Sequence, residues 1–208
     1  MIFLNADERD AIAEAFNMGV GVAAASLSEM VEREVTLSVP DIDIMLRDQA
    51  KASLGIQAHQ QISGVIEEFK GSFEGHAMLL FPKDISLELV RLLLKQDVEN
   101  EFLTEMESEA LIEVGNIIIN ACLGSIANIM GEEINNQIPE AVTGRMGEII
   151  TDKSIAPEEN YIMKLRMDFH VADEDISGYI AFIMGLDSID KFRRKLAEYF
   201  GFEISGKG

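Results

Sequence analysis

Two stretches of this chain repeat one residue pattern at fixed spacing, and that repetition limits what it can fold into more than any other feature. Asp10, Glu14 and Asn17 stand four and three positions apart, and Pro40 follows Asn17 by 23 positions. Glu109, Glu113 and Asn116 repeat those spacings, and Pro139 again follows the Asn by 23. An acid-x-x-x-Glu-x-x-Asn run occurs on many solvated helical faces, so a single copy carries no message. The chain has only four prolines in 208 residues, so a given position is Pro about one time in fifty. Two prolines at the same offset therefore point to internal duplication.

The order of elements repeats as well. A helical pattern over about Asp7 to Glu32 carries Ile12, Phe16, Val20, Ala23, Leu27 and Met30 at spacings of four and three. Val35, Leu37 and Val39 alternate with polar residues as a half-buried strand does, and Pro40 is expected to end it. Residues 41–57 are mixed and give no clear element. Strands follow near 59–69 and 72–81, then an amphipathic helix through Leu94. After a polar connection at 96–100, a second long helix runs from about Phe102 to Met130 and stops at Gly131. A short Ile134/Ile138 segment leads to Pro139, strands follow near 161–170 and 176–185, and a helix closes from Asp187 through Tyr199. Gly75 and Gly178 stand the same distance before Asp84 and Asp187. The expected organisation is one domain, 1–208, made of two repeats of about 1–98 and 99–208. Each repeat reads helix, strands, helix.

At about 100° per residue each acid/Glu/Asn trio falls within roughly 60° of arc, opposite the apolar stripe of its helix. The second trio bears that relation to Leu111, Ile118, Cys122 and Ile129. Both trios are therefore expected to face outward from core-anchored helices. Asn is a poor helix former in a helix interior, and an outward Asn has no packing reason to be there. Gly19, Gly21, Gly115 and Gly124 near the two Asn are expected to permit close helix packing at least as readily as to act directly.

Composition narrows the function. A net charge of -20 disfavours nucleic acid and anionic membrane surfaces, both of which require basic residues. The single Cys122 cannot form an internal disulfide, which fits a reducing compartment, and its apolar neighbours mark a buried thiol rather than a nucleophile. The N-terminus turns acidic at Asp7, Glu8 and Asp10, unlike a signal peptide. Glu113, Asn116, Asn120 and Asn128 interrupt the longest apolar stretch, Leu111 to Met130, and argue against a membrane span. A soluble, cytoplasmic protein is expected. His59, His76 and His170 are scattered, no Gly-rich phosphate loop with a following Lys occurs, and no GxSxG elbow is present.

The segments EAFNMGVGVAAASLSEMV and EVGNIIINACLGSIANIMG, each with its downstream proline, resemble the paired signatures of the CheC/CheX/FliY chemotaxis phosphatases. Two signatures favour CheC or FliY over CheX, which carries one, and the end of the sequence at Gly208 favours CheC. Phe16 occupies a slot where the family has a small residue, and Glu109 one where Asp or Ser is usual; Asn116 is accordingly expected to be the stronger site. The resemblance implies an α+β, pseudo-two-fold fold with long helices packed on a largely antiparallel sheet. It implies a phosphatase acting on the aspartyl-phosphate of a CheY-like receiver domain. Glu14 and Glu113 would pair with the receiver's Lys, Asn17 and Asn116 would orient the attacking water, and Asp10 and Glu109 would contact the partner. No cofactor or metal is implied in this chain, the Mg2+ belonging to the receiver. A CheD-like deamidase enters as a second partner, which no residue pattern here decides. The alternative is a non-catalytic adaptor of the chemotaxis or flagellar-switch apparatus, in which the acidic helices dock a partner without turnover.

Overall fold

The computed structural model describes residues 4–54, 59–94, 105–152, 155, 157–171 and 174–204. Helix α1 (Ala6–Val31) leads to strand β1 (Val35–Leu46), α2 (Arg47–Leu54), β2 (Gln61–Gly71), β3 (Gly75–Pro82) and α3 (Lys83–Leu94). The same sequence of element types follows: α4 (Glu105–Met130), β4 (Ile134–Asn136) and β5 (Glu140–Arg145), α5 (Met146–Ile149), β6 (Tyr161–Val171), β7 (Glu174–Met184) and α6 (Leu186–Phe200). The strands form a single sheet in the order β1-β6-β7-β3-β2-β4, with β5 also on β2, and every ladder is antiparallel. The expected α+β architecture is the one observed.

The halves meet at the β3–β7 ladder, where Met78 stands opposite Ala181. Hairpin β2–β3 on one side of that seam answers hairpin β6–β7 on the other, so Glu67, paired with Ala77, corresponds to Leu165, paired with Ile180. One sheet face carries the large core under α1, α4, α3 and α6, with Val65, Phe69, Leu79, Leu165 and Ile180 among its members. The other face carries a smaller core, including Ile62, Met78, Ile162 and Ala181, with Met146 and Ile149 of α5 over it.

Helix α1 starts with a capping box: Asn5 accepts from the Glu8 N–H at 2.8 Å, and Glu8 accepts from the Asn5 N–H at 2.9 Å. The other Glu8 oxygen, buried, accepts from Arg193 of α6 at 2.9 and 2.5 Å, tying the first helix to the last. Ile12, Phe16, Val20, Ala23 and Leu27 are buried as their spacing predicts, but Met30 is 46% exposed and Val31 takes the inward place at the helix end. Helices α1 and α4 approach so closely that a Cβ on Gly19 would lie 2.7 Å from the Cys122 Cα. Both are long and apolar enough by composition to cross a membrane, yet each buries one face against the sheet and exposes acids on the other.

Pro40 does not end its strand. β1 continues to Leu46, and the register with β6 shifts between Ser38 and Asp41, around the proline. β1 is an edge strand, where a residue without an N–H is tolerated. Of the mixed stretch 41–57, residues 41–54 supply the rest of β1 and then α2 while 55–57 lie outside the described residues, and two short strands flank Ile138. The start of the second long helix at 102–104, and the boundary proposed between the repeats, lie outside the described residues.

The glycines of α1 separate cleanly by stability. Gly19→Ala is expected to destabilise by about 1–3 kcal/mol by pushing α1 off α4. Gly21, with nothing within 4 Å of its Cβ position, is expected to gain about 0.5–1 kcal/mol on substitution by Ala. Denaturant unfolding of the two variants checks both signs.

Candidate functional site

The two trios lie where their spacing places them. Asp10, Glu14, Glu109 and Glu113 are exposed, and Asn17 and Asn116 are half-buried at the foot of each trio. Among the described residues none of the four carboxylates forms an ion pair, although six exposed or half-exposed cations elsewhere on the chain do: Arg9, Lys70, Arg145, Arg166, Lys191 and Lys195. Glu and Asn three apart on a helix stand about 5–6 Å apart at Cβ, close enough to engage one small partner site together. Each trio faces away from the α1–α4 contact, so the first lies beside edge strand β1 and the second beside β4.

Both Asn side chains have partners, contrary to the expectation that they lack a packing reason. Asn17 Oδ1 accepts from the backbone N–H of Val39 at 2.9 Å, immediately before Pro40 and the register shift. Asn116 Oδ1 accepts from Asn120 Nδ2 at 2.6 Å, and Asn120 Oδ1 accepts in turn from Asn136 Nδ2. Asn136 ends β4, next to the interval containing Pro139. The shared 23-residue spacing thus has a physical meaning: each proline lies at an interruption in the edge of the sheet, which the Asn carbonyl meets directly in the first half and through Asn120 and Asn136 in the second. In both cases that contact uses the carbonyl oxygen, and the amide NH2 has no partner among the described residues.

Phe16, the departure from the family pattern, does not reach the outward face. It is fully buried, with its ring 5.1 Å from Phe182 and 6.4 Å from Phe192. At the matching slot of α4 a Cβ on Gly115 would lie 2.7 Å from Val65. The slot is therefore set by core space in each half, and the ground for ranking Asn116 above Asn17 falls away.

An open groove of about 960 Å³ adjoins the first trio, lined by Asn5, Asp7, Asp10, Glu14, Phe202 and Glu203 among others. Asn5 Nδ2 holds the Glu203 carbonyl at 3.2 Å, so the segment after α6 forms one wall. Met18 and Val22 expose 44% and 62% of their surface beside Asn17, giving that site an apolar rim. No group of three or more His, Cys, Asp or Glu is arranged to hold a metal ion among the described residues. Cys122 is buried, and burial pushes its thiol up to about 12.

Sequence reasoning missed Glu67. It is 1% exposed on β2, on the face that carries Val65 and Phe69 toward the helices. Burial raises its carboxyl from 4.5 to about 7, with Asn136 drawing it back somewhat. That Asn136 amide nevertheless bonds Asn120, and both Glu67 oxygens are left without a hydrogen bond of good geometry.

The chain matches the family model "Chemotaxis phosphatase CheX" over residues 62–158, a stretch that includes Glu113 and Asn116 and stops short of α1. It is 22% identical over 149 residues to the CheY-P phosphatase CheC of Bacillus subtilis, covering 70% of this chain and 71% of that one. It is 26% identical over 181 residues to CheC1 of Halobacterium salinarum, covering 82% and 90%. The crystal structure of Thermotoga maritima FliY superposes with a TM-score of 0.78 at 19% identity, over 95% of this chain and all of that one. The FliM middle domain of H. pylori shares the fold at a TM-score of 0.63 and 10% identity, over 92% and 99%. The fold is thus the one shared by FliY and the FliM middle domain. By these likenesses the chain is similar to the CheC/CheX/FliY chemotaxis phosphatases.

Glu67 provides a pH test. Well below pH 4.5 the carboxyl is protonated in both folded and unfolded chains. As pH rises toward 7 the unfolded carboxyl ionises while the buried one stays protonated, so the folded state loses stability. Glu67→Leu, the residue found at the related position 165, is expected to raise the unfolding free energy more at pH 8 than at pH 5. The difference is on the order of 2–3 kcal/mol, read by urea unfolding at the two pH values.

Proposed function

We propose that this protein dephosphorylates the aspartyl-phosphate of a CheY-like receiver domain and carries two sites for the reaction, Glu14 with Asn17 and Glu113 with Asn116. The carrying observation is the geometry shared by the two helices: an exposed, unpaired Glu one turn from an Asn whose carbonyl is held and whose NH2 is not. The names of the Bacillus subtilis and Halobacterium salinarum relatives support the substrate class.

The unpaired Glu meets the receiver's active-site Lys and sets the docking register, with Asp10 or Glu109 one turn away as a further contact. The Asn then enters the phosphorylation site and its NH2 holds a water oxygen in line with the phosphorus. Water attacks, the P–O bond to the aspartyl carboxylate breaks, and aspartate and inorganic phosphate are the products. Phosphoryl transfer of this kind has a loose transition state and a leaving group that needs no proton, so positioning supplies most of the rate. A neutral amide suffices. The Mg2+ that neutralises the phosphoryl oxygens resides in the receiver and not in this chain. Around Asn17, the apolar rim of Met18 and Val22 adds buried area to an otherwise acidic contact.

Timing phosphate release from acyl-phosphorylated receiver tests the reading. Asn17→Ala and Asn116→Ala are each expected to remove one site's share, and the double variant to lose about 10²-fold. Asn17→Ala also deprives the Val39 N–H of its acceptor, costing about 1 kcal/mol of stability, which leaves the fold intact. Unchanged release in the double variant would overturn the phosphatase reading and favour an adaptor that docks receivers without turnover.

A further inference from the structure

Asn136, Asn120 and Asn116 form a hydrogen-bonded line of side chains ending on the outer face of α4, and the buried Glu67 lies diagonally across the sheet from Asn136, which pairs with Phe69. Three observations define it. Asn120 donates to the Asn116 carbonyl at 2.6 Å. Asn136 donates to the Asn120 carbonyl. Glu67, two residues along β2 from the partner of Asn136 and on the same face, is buried at 1% exposure with neither oxygen hydrogen-bonded. An unsatisfied buried carboxyl is costly, and the related position in the other half carries Leu165, fully buried in the core. Packing alone therefore does not call for an acid at this position.

We infer that Glu67, Asn136 and Asn120 are positioning residues for the second site, a side-chain relay that fixes the Asn116 amide with its NH2 turned outward. The inference rests on the phosphatase reading of Asn116 and extends it to residues that do not touch the receiver. The first half solves the same problem differently. Asn17 is held directly by the Val39 backbone N–H, and the position four residues on, where α4 has Asn120, is the open Gly21. A backbone donor needs no supporting residues. A side-chain donor does, because Asn120 is free to rotate unless its own carbonyl is engaged, and Asn136 requires an acceptor-rich neighbour in turn. Each link removes one rotameric choice from the next, the usual means by which a supporting shell confers precision on a reacting group.

The relay makes Asn120→Asp the informative variant. The aspartate still accepts from Asn136 but has no N–H for Asn116. With Asn17→Ala as the background, so that only the second site turns over, Asn120→Asp is expected to lower kcat about tenfold with KM for the phosphorylated receiver unchanged. Glu67→Leu is expected to lower kcat several-fold, and Glu67→Gln, which keeps an acceptor oxygen, to restore most of it. Side-chain amide resonances of the protein without receiver give an independent reading: Asn120→Asp should shift the Asn116 NH2 signals, and Glu67→Leu those of Asn136 and Asn120. Parental kcat together with unmoved Asn116 signals in Asn120→Asp would overturn the relay. If the Asn116 signals move as expected but Asn116→Ala itself leaves turnover unchanged in the same background, the phosphatase reading fails and the relay stands only as structure.

Discussion

Everything else in this structure depends on the β3–β7 ladder, which makes one sheet of two halves. Both strands are buried on their two faces, and Met78 opposite Ala181 lies at the centre of the approximate two-fold relation. Because the seam is central, β1 is pushed to one edge and β4 with β5 to the other. The long helices lie together over the middle, in contact at Gly19 and Cys122, so their outward faces look toward opposite edges. Six strands in line, at about 4.8 Å per step, set those edges some 24 Å apart. The two trios lie apart because the sheet has two ends.

The two helices carry the same Glu and Asn at the same spacing, while the surroundings of the Asn differ in kind. One amide is anchored to main chain and the other to a file of side chains ending at Asn136, near the buried Glu67. Main-chain anchoring is insensitive to substitution because any residue but proline at position 39 offers the same N–H. Side-chain anchoring is adjustable, and carries a stability cost at Glu67 that the first site avoids.

Much of this was legible in the residue order. The long helices declare themselves through Ile12, Phe16, Val20 and Leu27 and through Leu111, Ile118 and Cys122, since one apolar stripe on a soluble chain must be covered. The outward trios follow from the same rotation. What the order hid were contacts across register: Asn17 to Val39 spans 22 residues and Asn120 to Asn136 spans 16, and neither could be placed before the edge strands were. Pro40 misled because proline stops a central strand but not an edge one. Glu67 was overlooked beside Glu68, where two adjacent acids look like solvated surface. Strict alternation of Val65, Glu67 and Phe69 would have turned it inward. That Asn136 would lie diagonally across from it, however, needed the structure.

The two prolines have a second effect. Pro40 lies within the strand at one margin of the sheet, and Pro139 lies between the short strands at the other. A sheet with open margins offers unpaired amides to any passing extended segment, and a residue without an N–H, set at a break in register, spoils that template. The motif that seats each asparagine thus also blunts both margins against strand addition. In so acidic a chain, mutual repulsion adds to that protection. Replacing either proline to probe the site would therefore be felt in self-association as well.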